Sequence, residues 1–206
     1  GIPGDPERNG GFGVRLAGAD FERDGYDDLV VGSPASDIGE ARDAGDVLVL
    51  HGGASGWDPA RVLRLQPLGP DGEVDARAAF GTALAASDLD RDGRPELIVG
   101  APGATVGSLP DVGAVTVVQG GPDGLQPELS ARIDPSGWPL APSLITGQSF
   151  GAAVAAGDWN GDGAMDLAIG APGQRAGGVT GSGALVVAWN DAAGLPGIPT
   201  ATPTSA

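Results

Sequence analysis

The chain has 206 residues and a formal net charge of −16, with 27 acidic residues against 11 basic ones, every one of them arginine. Binding a phosphate backbone requires clustered basic side chains, so this composition argues against nucleic acid as a partner and favours cations. Cysteine is absent, which excludes disulfide bonds, and no apolar run reaches the ~20 residues that a membrane-spanning helix needs.

One pattern occurs three times along the chain. Each copy has a Phe-Gly pair, then a nine-residue acidic loop that begins eight residues after the phenylalanine, then a Gly-Ser-Pro or Gly-Ala-Pro triplet that begins four residues after the loop ends. The loops begin at Asp20, Asp88 and Asp158, at intervals of 68 and 70 residues. Self-similarity at a near-constant interval indicates an array of one structural unit.

Short apolar and β-branched runs between turn residues predict strands in every copy, whereas no window keeps the apolar spacing of a helix. The predicted strands are 14–19, 29–31, 47–50 and 61–65 in the first copy, 82–87, 97–99, 113–118 and 128–133 in the second, and 152–157, 167–169 and 184–189 in the third. Three prolines after residue 189 argue against a fourth strand there. Repeated antiparallel units of four strands are typical of β-propeller blades, and Phe12, Phe80 and Phe150 are expected to pack between neighbouring blades.

The acidic loop has the pattern of a calcium site. In the second copy, Asp88, Asp90 and Asp92 occupy positions 1, 3 and 5, the carbonyl of Arg94 is at position 7, and Glu96 is at position 9. The same positions hold Asp20, Glu22, Asp24, the Tyr26 carbonyl and Asp28 in the first copy, and Asp158, Asn160, Asp162, the Ala164 carbonyl and Asp166 in the third. Ca²⁺ takes six to eight oxygen ligands in a flexible shell, whereas Mg²⁺ demands an octahedron and keeps several waters. Three loops in register therefore favour calcium over magnesium and over a solvated acidic turn.

The flanking residues separate this loop from an EF-hand. An EF-hand loop ends on a bidentate Glu at position 12 and enters a helix. Position 12 here falls on Val31, Val99 and Ile169, all inside apolar runs. The carboxylate at position 9 is therefore expected to close the coordination shell.

Taken in this order, Phe-Gly, the acidic loop, Gly-Ala-Pro and the following Gly-Ala-Val strand resemble the FG-GAP repeats of the integrin α-subunit β-propeller and its bacterial relatives. The resemblance implies an all-β propeller with three four-stranded antiparallel blades in this chain. It places the calcium loops on the lower face and partner docking on the opposite face, in the loops 34–45, 102–112 and 172–182 and the connections 66–79 and 134–149. The implied division is an N-terminal extension at 1–10, blades at 11–78, 79–148 and 149–190, the last of them without a predicted fourth strand, and a tail at 191–206.

Three blades cannot close a ring, because the terminal faces would leave apolar surface and strand edges in water. A homodimer that forms a six-bladed ring is the favoured solution, and the alternative is a fragment of a longer propeller. The N-terminus has neither a starting methionine nor a signal-peptide core, which predicts a processed chain.

The expected function is a non-enzymatic binding or adhesion module with three Ca²⁺ per chain, acting outside the cell or at its surface on a protein or glycan ligand. The alternative is an enzyme, or an accessory domain of one, that uses carboxylates in a central or inter-subunit pocket. The sole histidine, His51, is interpreted as a turn residue. Trp57 and Trp138 are minor candidates for glycan binding, and Trp159 and Trp189 are expected in the core.

Overall fold

A computed structural model describes residues 10–69, 72–137, 144–175, 181–191 and 194–195. Within these residues the chain forms eleven β-strands and one short 3-10 turn, Pro135–Gly137, with no α-helix. The strands form three separate antiparallel sheets, which confirms the all-β prediction and the blade-like repetition.

Each sheet is a meander in which neighbouring strands follow one another in sequence. The first sheet contains β1 (Arg15–Ala19), β2 (Asp28–Ser33), β3 (Asp46–Leu50) and β4 (Val62–Leu65). The second contains β5 (Ala83–Ser87), β6 (Glu96–Ala101), β7 (Ala114–Gln119) and β8 (Gln126–Ile133), and the third contains β9 (Ala153–Gly157), β10 (Asp166–Ala171) and β11 (Ala184–Ala188). Beyond Ala188, the described residues contain only an isolated bridge between Asp191 and Gly194.

The three sheets share one register. Leu29 pairs with Leu50 in the first sheet, Leu97 with Val118 in the second and Leu167 with Ala188 in the third. Residues that follow these pairs are therefore structurally equivalent between repeats, and differences in chemistry at such positions can be compared directly.

The middle sheet is buried on both faces. In β6, Leu97 and Val99 belong to a core shared with the first sheet, whereas Ile98 belongs to a core shared with the third. All six residues of β6 are buried, because a strand covered on both sides needs a continuous apolar run rather than an alternating one. The inner strands β1, β5 and β9 lie next to one another and join the three sheets.

The Phe-Gly and Gly-Ala-Pro motifs of neighbouring sheets contact one another. A Cβ added to Gly32 would lie 2.6 Å from the carbonyl oxygen of Gly81, and one added to Gly100 would lie 2.0 Å from that of Gly151. Only glycine permits this backbone approach. The two motifs of the repeat are thus the two halves of the contact between one blade and the next.

Three aromatic predictions depend on which blades have a neighbour. Phe80 and Phe150 are 1% and 2% exposed between sheets, as predicted, but Phe12 is 51% exposed because no described sheet covers it. The prediction that Trp159 and Trp189 lie in the core is wrong, since they are 48% and 52% exposed. The large apolar side chains exposed on the two terminal blades include Phe12, Val14, Leu16 and Leu29 on the first and Trp159, Met165, Leu185 and Trp189 on the third.

Candidate metal centres in the acidic loops

The three acidic loops, 20–28, 88–96 and 158–166, each connect the first strand of a sheet to the second. The carboxylate at position 1 accepts the backbone N–H of position 6 in every loop: Gly25 donates to Asp20 over 2.7 Å, Gly93 to Asp88 over 3.0 Å and Gly163 to Asp158 over 3.0 Å. The loops therefore share one turn, which is closed by the carboxylate at position 1.

Two positions of each loop have a left-handed backbone. The glycines at position 6 have φ angles of 92°, 88° and 86° in chain order, a conformation that favours glycine. Position 4 is also left-handed, with φ values of 64° at Arg23, 65° at Arg91 and 77° at Gly161. The two arginines gave no signal of this conformation, and only the glycine of the third copy could have indicated it.

The second loop brings carboxylates together most closely. Ligand atoms of Asp88, Asp90 and Glu96, the carboxylate cluster, all lie within 4.8 Å of one another. Glu96 is fully buried, and its Oε2 accepts the N–H of Leu89 over 2.6 Å. Asp88 Oδ1 and Glu96 Oε1 are buried without a hydrogen bond. Burial, together with the charges of Asp90 and Asp88, raises the pKa of Glu96 to about 8, which is the signature of carboxylates confined without a counterion.

The third loop holds its polar groups by internal hydrogen bonds. Asp162 accepts the Ala164 N–H over 2.8 Å and the Asn160 side-chain amide over 2.9 Å, and these bonds, in that order, lower the pKa of Asp162. Asp166 accepts backbone N–H groups from Trp159 and Asn190. Within the described part of the chain, the third-loop carboxylates do not converge as the carboxylate cluster does.

The first loop differs because Glu22 turns toward basic side chains. Its Oε1 lies 3.0 Å from His51 Nδ1 and contacts the guanidinium of Arg61. Asp28 Oδ1 lies 3.5 Å from the same nitrogen and accepts the Gly52 N–H over 2.9 Å. Burial is the main cause that raises the pKa of Asp28 to about 6. Glu22, Asp28 and His51, the histidine cluster, have ligand atoms within 4.8 Å of one another and are all buried.

The structure corrects the interpretation of His51 as a turn residue. Only 5% of this residue is exposed. The shared register places it, one residue after Leu50, at the position held by Gln119 in the second sheet and Trp189 in the third. Nothing in the local sequence showed that this slot lies beside position 9 of the acidic loop.

Side chains cross from one blade to the next near the loops. A Cβ on Gly93 of the second loop would lie 2.5 Å from the guanidinium of Arg23, and Arg91 contributes to the lowered pKa of Asp162 in the third loop. Asn190 Nδ2 donates to the carbonyl of Leu89 over 2.6 Å. Arginines of the first and second loops therefore reach the loop of the next blade, and the third blade reaches back to the second loop.

An open cavity of about 520 Å³ adjoins the first loop, lined by residues that include Asp24, Tyr26, Trp57 and Arg61. Tyr26 and Trp57 are 43% and 38% exposed there. Trp138, the other tryptophan considered for glycan binding, lies outside the described residues. Across the described part of the chain, no helix has the length and apolar character to span a bilayer.

Comparisons with known proteins agree with the repeat pattern. The model of the FG-GAP repeat family matches residues 12–50, 80–118 and 150–187. Integrin alpha-PS5 of Drosophila melanogaster is 35% identical over 80% of this chain and 15% of its own length, and integrin alpha-D of Homo sapiens is 37% identical over 79% and 13%. Phosphatidylinositol-glycan-specific phospholipase D of Rattus norvegicus is 34% identical over 81% and 19%. The chain thus spans less than a fifth of these relatives.

Proposed function

Because this chain belongs to the FG-GAP repeat family, we propose that it is a calcium-stabilised propeller segment that acts as a non-enzymatic binding module outside the cell or at its surface. Calcium is abundant enough there to fill sites of moderate affinity. The proposed blades are 11–78, 79–148 and 149–190, with an extension at 1–10 and a tail at 191–206.

The carboxylate cluster carries the calcium proposal. Two of its oxygens are buried and accept no hydrogen bond, and three acidic groups so close together repel one another unless a cation neutralises them. An all-oxygen donor set suits Ca²⁺. The proposed ligands of three Ca²⁺ per chain are Asp20, Glu22, Asp24, Tyr26 and Asp28 in the first loop, Asp88, Asp90, Asp92, Arg94 and Glu96 in the second, and Asp158, Asn160, Asp162, Ala164 and Asp166 in the third.

Bound calcium would stabilise the native chain, because the ligands are arranged for it only in the folded state. The test is calorimetric titration of the metal-free protein with Ca²⁺, followed by thermal unfolding with and without the ion. Asp88→Asn should remove one binding event, and the control Glu128→Gln, which loses the same charge on an exposed strand position, should keep all of them. Absence of binding to a folded wild-type chain would refute the proposal.

The exposed terminal faces support closure of a six-bladed ring by two copies of the chain. Each copy would place the apolar face of its first blade, including Leu16, against the third-blade face of the other, including Leu185. These two side chains are 62% and 69% exposed in one copy. Light scattering should give twice the mass of one chain, and a mass of one chain at high concentration would refute the dimer.

The partner, a protein or a glycan, is proposed to dock on the face opposite the acidic loops. A labelled chain, applied to intact cells and to a glycan array, distinguishes the possible surfaces. Glu40→Arg changes an exposed residue of the opposite face, and its failure to bind would support docking there. Loss of binding in Trp57→Ala, with Glu40→Arg intact, would instead locate the ligand in the cavity beside the first loop.

The resemblance to phosphatidylinositol-glycan-specific phospholipase D favours the alternative function, an enzyme or an accessory domain of one. The match covers only 19% of that enzyme. The discriminating assay incubates the purified chain with a phosphatidylinositol-glycan-anchored protein and measures its release from membranes. Release by wild-type chain would establish enzymatic activity and overturn the non-enzymatic proposal.

A further inference from the structure

The histidine cluster combines one nitrogen and two carboxylate donors in a buried position, which the other two blades do not reproduce. We propose that Glu22, Asp28 and His51 form a zinc site at the lower edge of the first blade. This proposal stands apart from calcium binding by the second and third loops, since neither loop contributes a donor to it.

The distances suit a small tetrahedral ion. Zn²⁺ binds nitrogen and oxygen donors at about 2.0–2.1 Å, so two donors at tetrahedral angles stand about 3.3 Å apart. The Nδ1 atom of His51 lies 3.0 Å from Glu22 Oε1 and 3.5 Å from Asp28 Oδ1. Three protein donors leave the fourth position of a tetrahedral shell for water or an added ligand.

Two polar atoms of the histidine cluster are buried without a hydrogen bond. His51 Nδ1 makes no hydrogen bond of acceptable geometry and Asp28 Oδ2 has none, in side chains only 7% and 1% exposed. A polar atom buried without a partner carries a substantial free-energy cost. The Gly52 N–H donates to Asp28 Oδ1 and fixes the orientation of that carboxylate, as the outer contacts of metal ligands commonly do.

The histidine decides which ion the cluster selects. Imidazole suits zinc and other first-row transition ions, whereas calcium prefers oxygen donors. Glu22 and Asp28 are also positions 3 and 9 of the first acidic loop, so zinc and calcium would compete for this loop alone. The second blade has Gln119 and the third has Trp189 in the slot of His51, and neither side chain supplies an imidazole.

Arg61 and the second blade border the site. The Arg61 guanidinium contacts Glu22 Oε1 and lies 3.4 Å from the carbonyl of Asp123. A Cβ on Gly124 would stand 2.7 Å from His51 Cε1, so the turn of the second blade covers the imidazole closely. The guanidinium competes with a metal ion for the same carboxylate, but its side chain is 42% exposed and can move into water.

The test is titration of the full chain with Zn²⁺ by calorimetry and with Co²⁺ by visible absorption, which reports tetrahedral coordination. The wild-type chain should bind one Zn²⁺, with an affinity that depends on the imidazole of His51. His51→Gln introduces the residue that the second blade already carries, and it should weaken zinc binding at least about tenfold, since even outer contacts of metal sites are worth about 10–100-fold. Its calcium binding at the second and third loops should stay unchanged.

A second variant separates a metal site from an ion pair. Arg61→Leu removes the competing cation and should tighten zinc binding, whereas a cluster that serves only as a buried ion pair would lose stability and gain no zinc affinity. The proposal is overturned if folded wild type binds no Zn²⁺, or if His51→Gln binds it as tightly as wild type, which would assign the zinc to the acidic loops alone. Calcium titration is recorded separately, so the calcium and zinc proposals are tested independently, and failure of one does not affect the test of the other.

Discussion

The backbone of Gly100 lies against the carbonyl of Gly151, so closely that a Cβ on Gly100 would stand 2.0 Å from that oxygen. The equivalent glycine of the third blade, Gly170, has no atom closer than 3.4 Å to the same imagined Cβ. The two positions share strand, register and motif, and they differ only in whether another blade follows.

Gly100→Ala should therefore lower the free energy of unfolding by about 3 kcal/mol, the upper end of the usual cost of overpacking. Gly170→Ala is the matched control and should change it by less than about 0.5 kcal/mol in dilute samples that scatter light as single chains. Urea denaturation followed by circular dichroism measures both. Equal effects of the two substitutions would contradict the blade contact.

The phenylalanines of the Phe-Gly pairs provide a second comparison. Phe80→Ala and Phe150→Ala should each cost about 3–5 kcal/mol of unfolding free energy at every protein concentration, because both side chains are fully buried between sheets. Phe12→Ala should cost little in dilute protein, where 51% of the side chain is exposed, and should weaken dimers at high concentration. A large cost of Phe12→Ala in samples that scatter light as single chains would contradict this account.

The raised pKa of Glu96 predicts how pH affects the metal-free protein. Its pKa is raised from 4.5 to about 8 by burial, so between these values the folded state holds a proton that the unfolded state has released. Stability is then highest below the lower value and falls as pH rises toward the upper one. Urea midpoints of metal-free protein should decrease from about pH 5 to about pH 8, and calcium should remove most of the slope.

Glu96→Gln isolates this effect, because Asp28 titrates in the same direction with a pKa raised to about 6. The variant should show a shallower pH dependence without metal and should lose the calcium effect at the second loop. An unchanged slope in Glu96→Gln would assign the pH dependence to other groups.

Arg91 predicts a coupling between neighbouring loops. Its positive charge acts on Asp162 of the third loop, and the third copy itself has Gly161 at the equivalent left-handed position. Arg91→Gly should raise calcium affinity of the third loop by up to about fivefold at low salt, the range of a surface charge pair, and by less at high salt. Fluorescence of Trp159, within the same loop, reports the binding.

Arg42→Gln is the control for Arg91→Gly, since it removes an equal charge from an exposed residue of the opposite face. It should leave the affinity of the third loop unchanged. If both variants raise the affinity equally, the effect comes from net charge and not from Arg91.

Most of the fold could be predicted from the sequence, because strand, loop and turn signals recur at matched positions and support one another. The orientation of Glu22 could not. Its partner Arg61 is 39 residues away, and only the pairing of β2 with β3 and of β3 with β4 brings the two together. The exposure of Phe12 and Trp189 could not be predicted either, because it depends on whether another blade packs against the blade that carries them and not on the repeat pattern.

The slot after the third strand holds imidazole, amide and indole side chains in successive blades, while the register around it stays the same. If the zinc and calcium proposals hold, backbone architecture and ion preference are separable properties in this repeat. A protein engineer could then substitute this single residue in each blade and select a different metal ion for each one, without redesigning the scaffold.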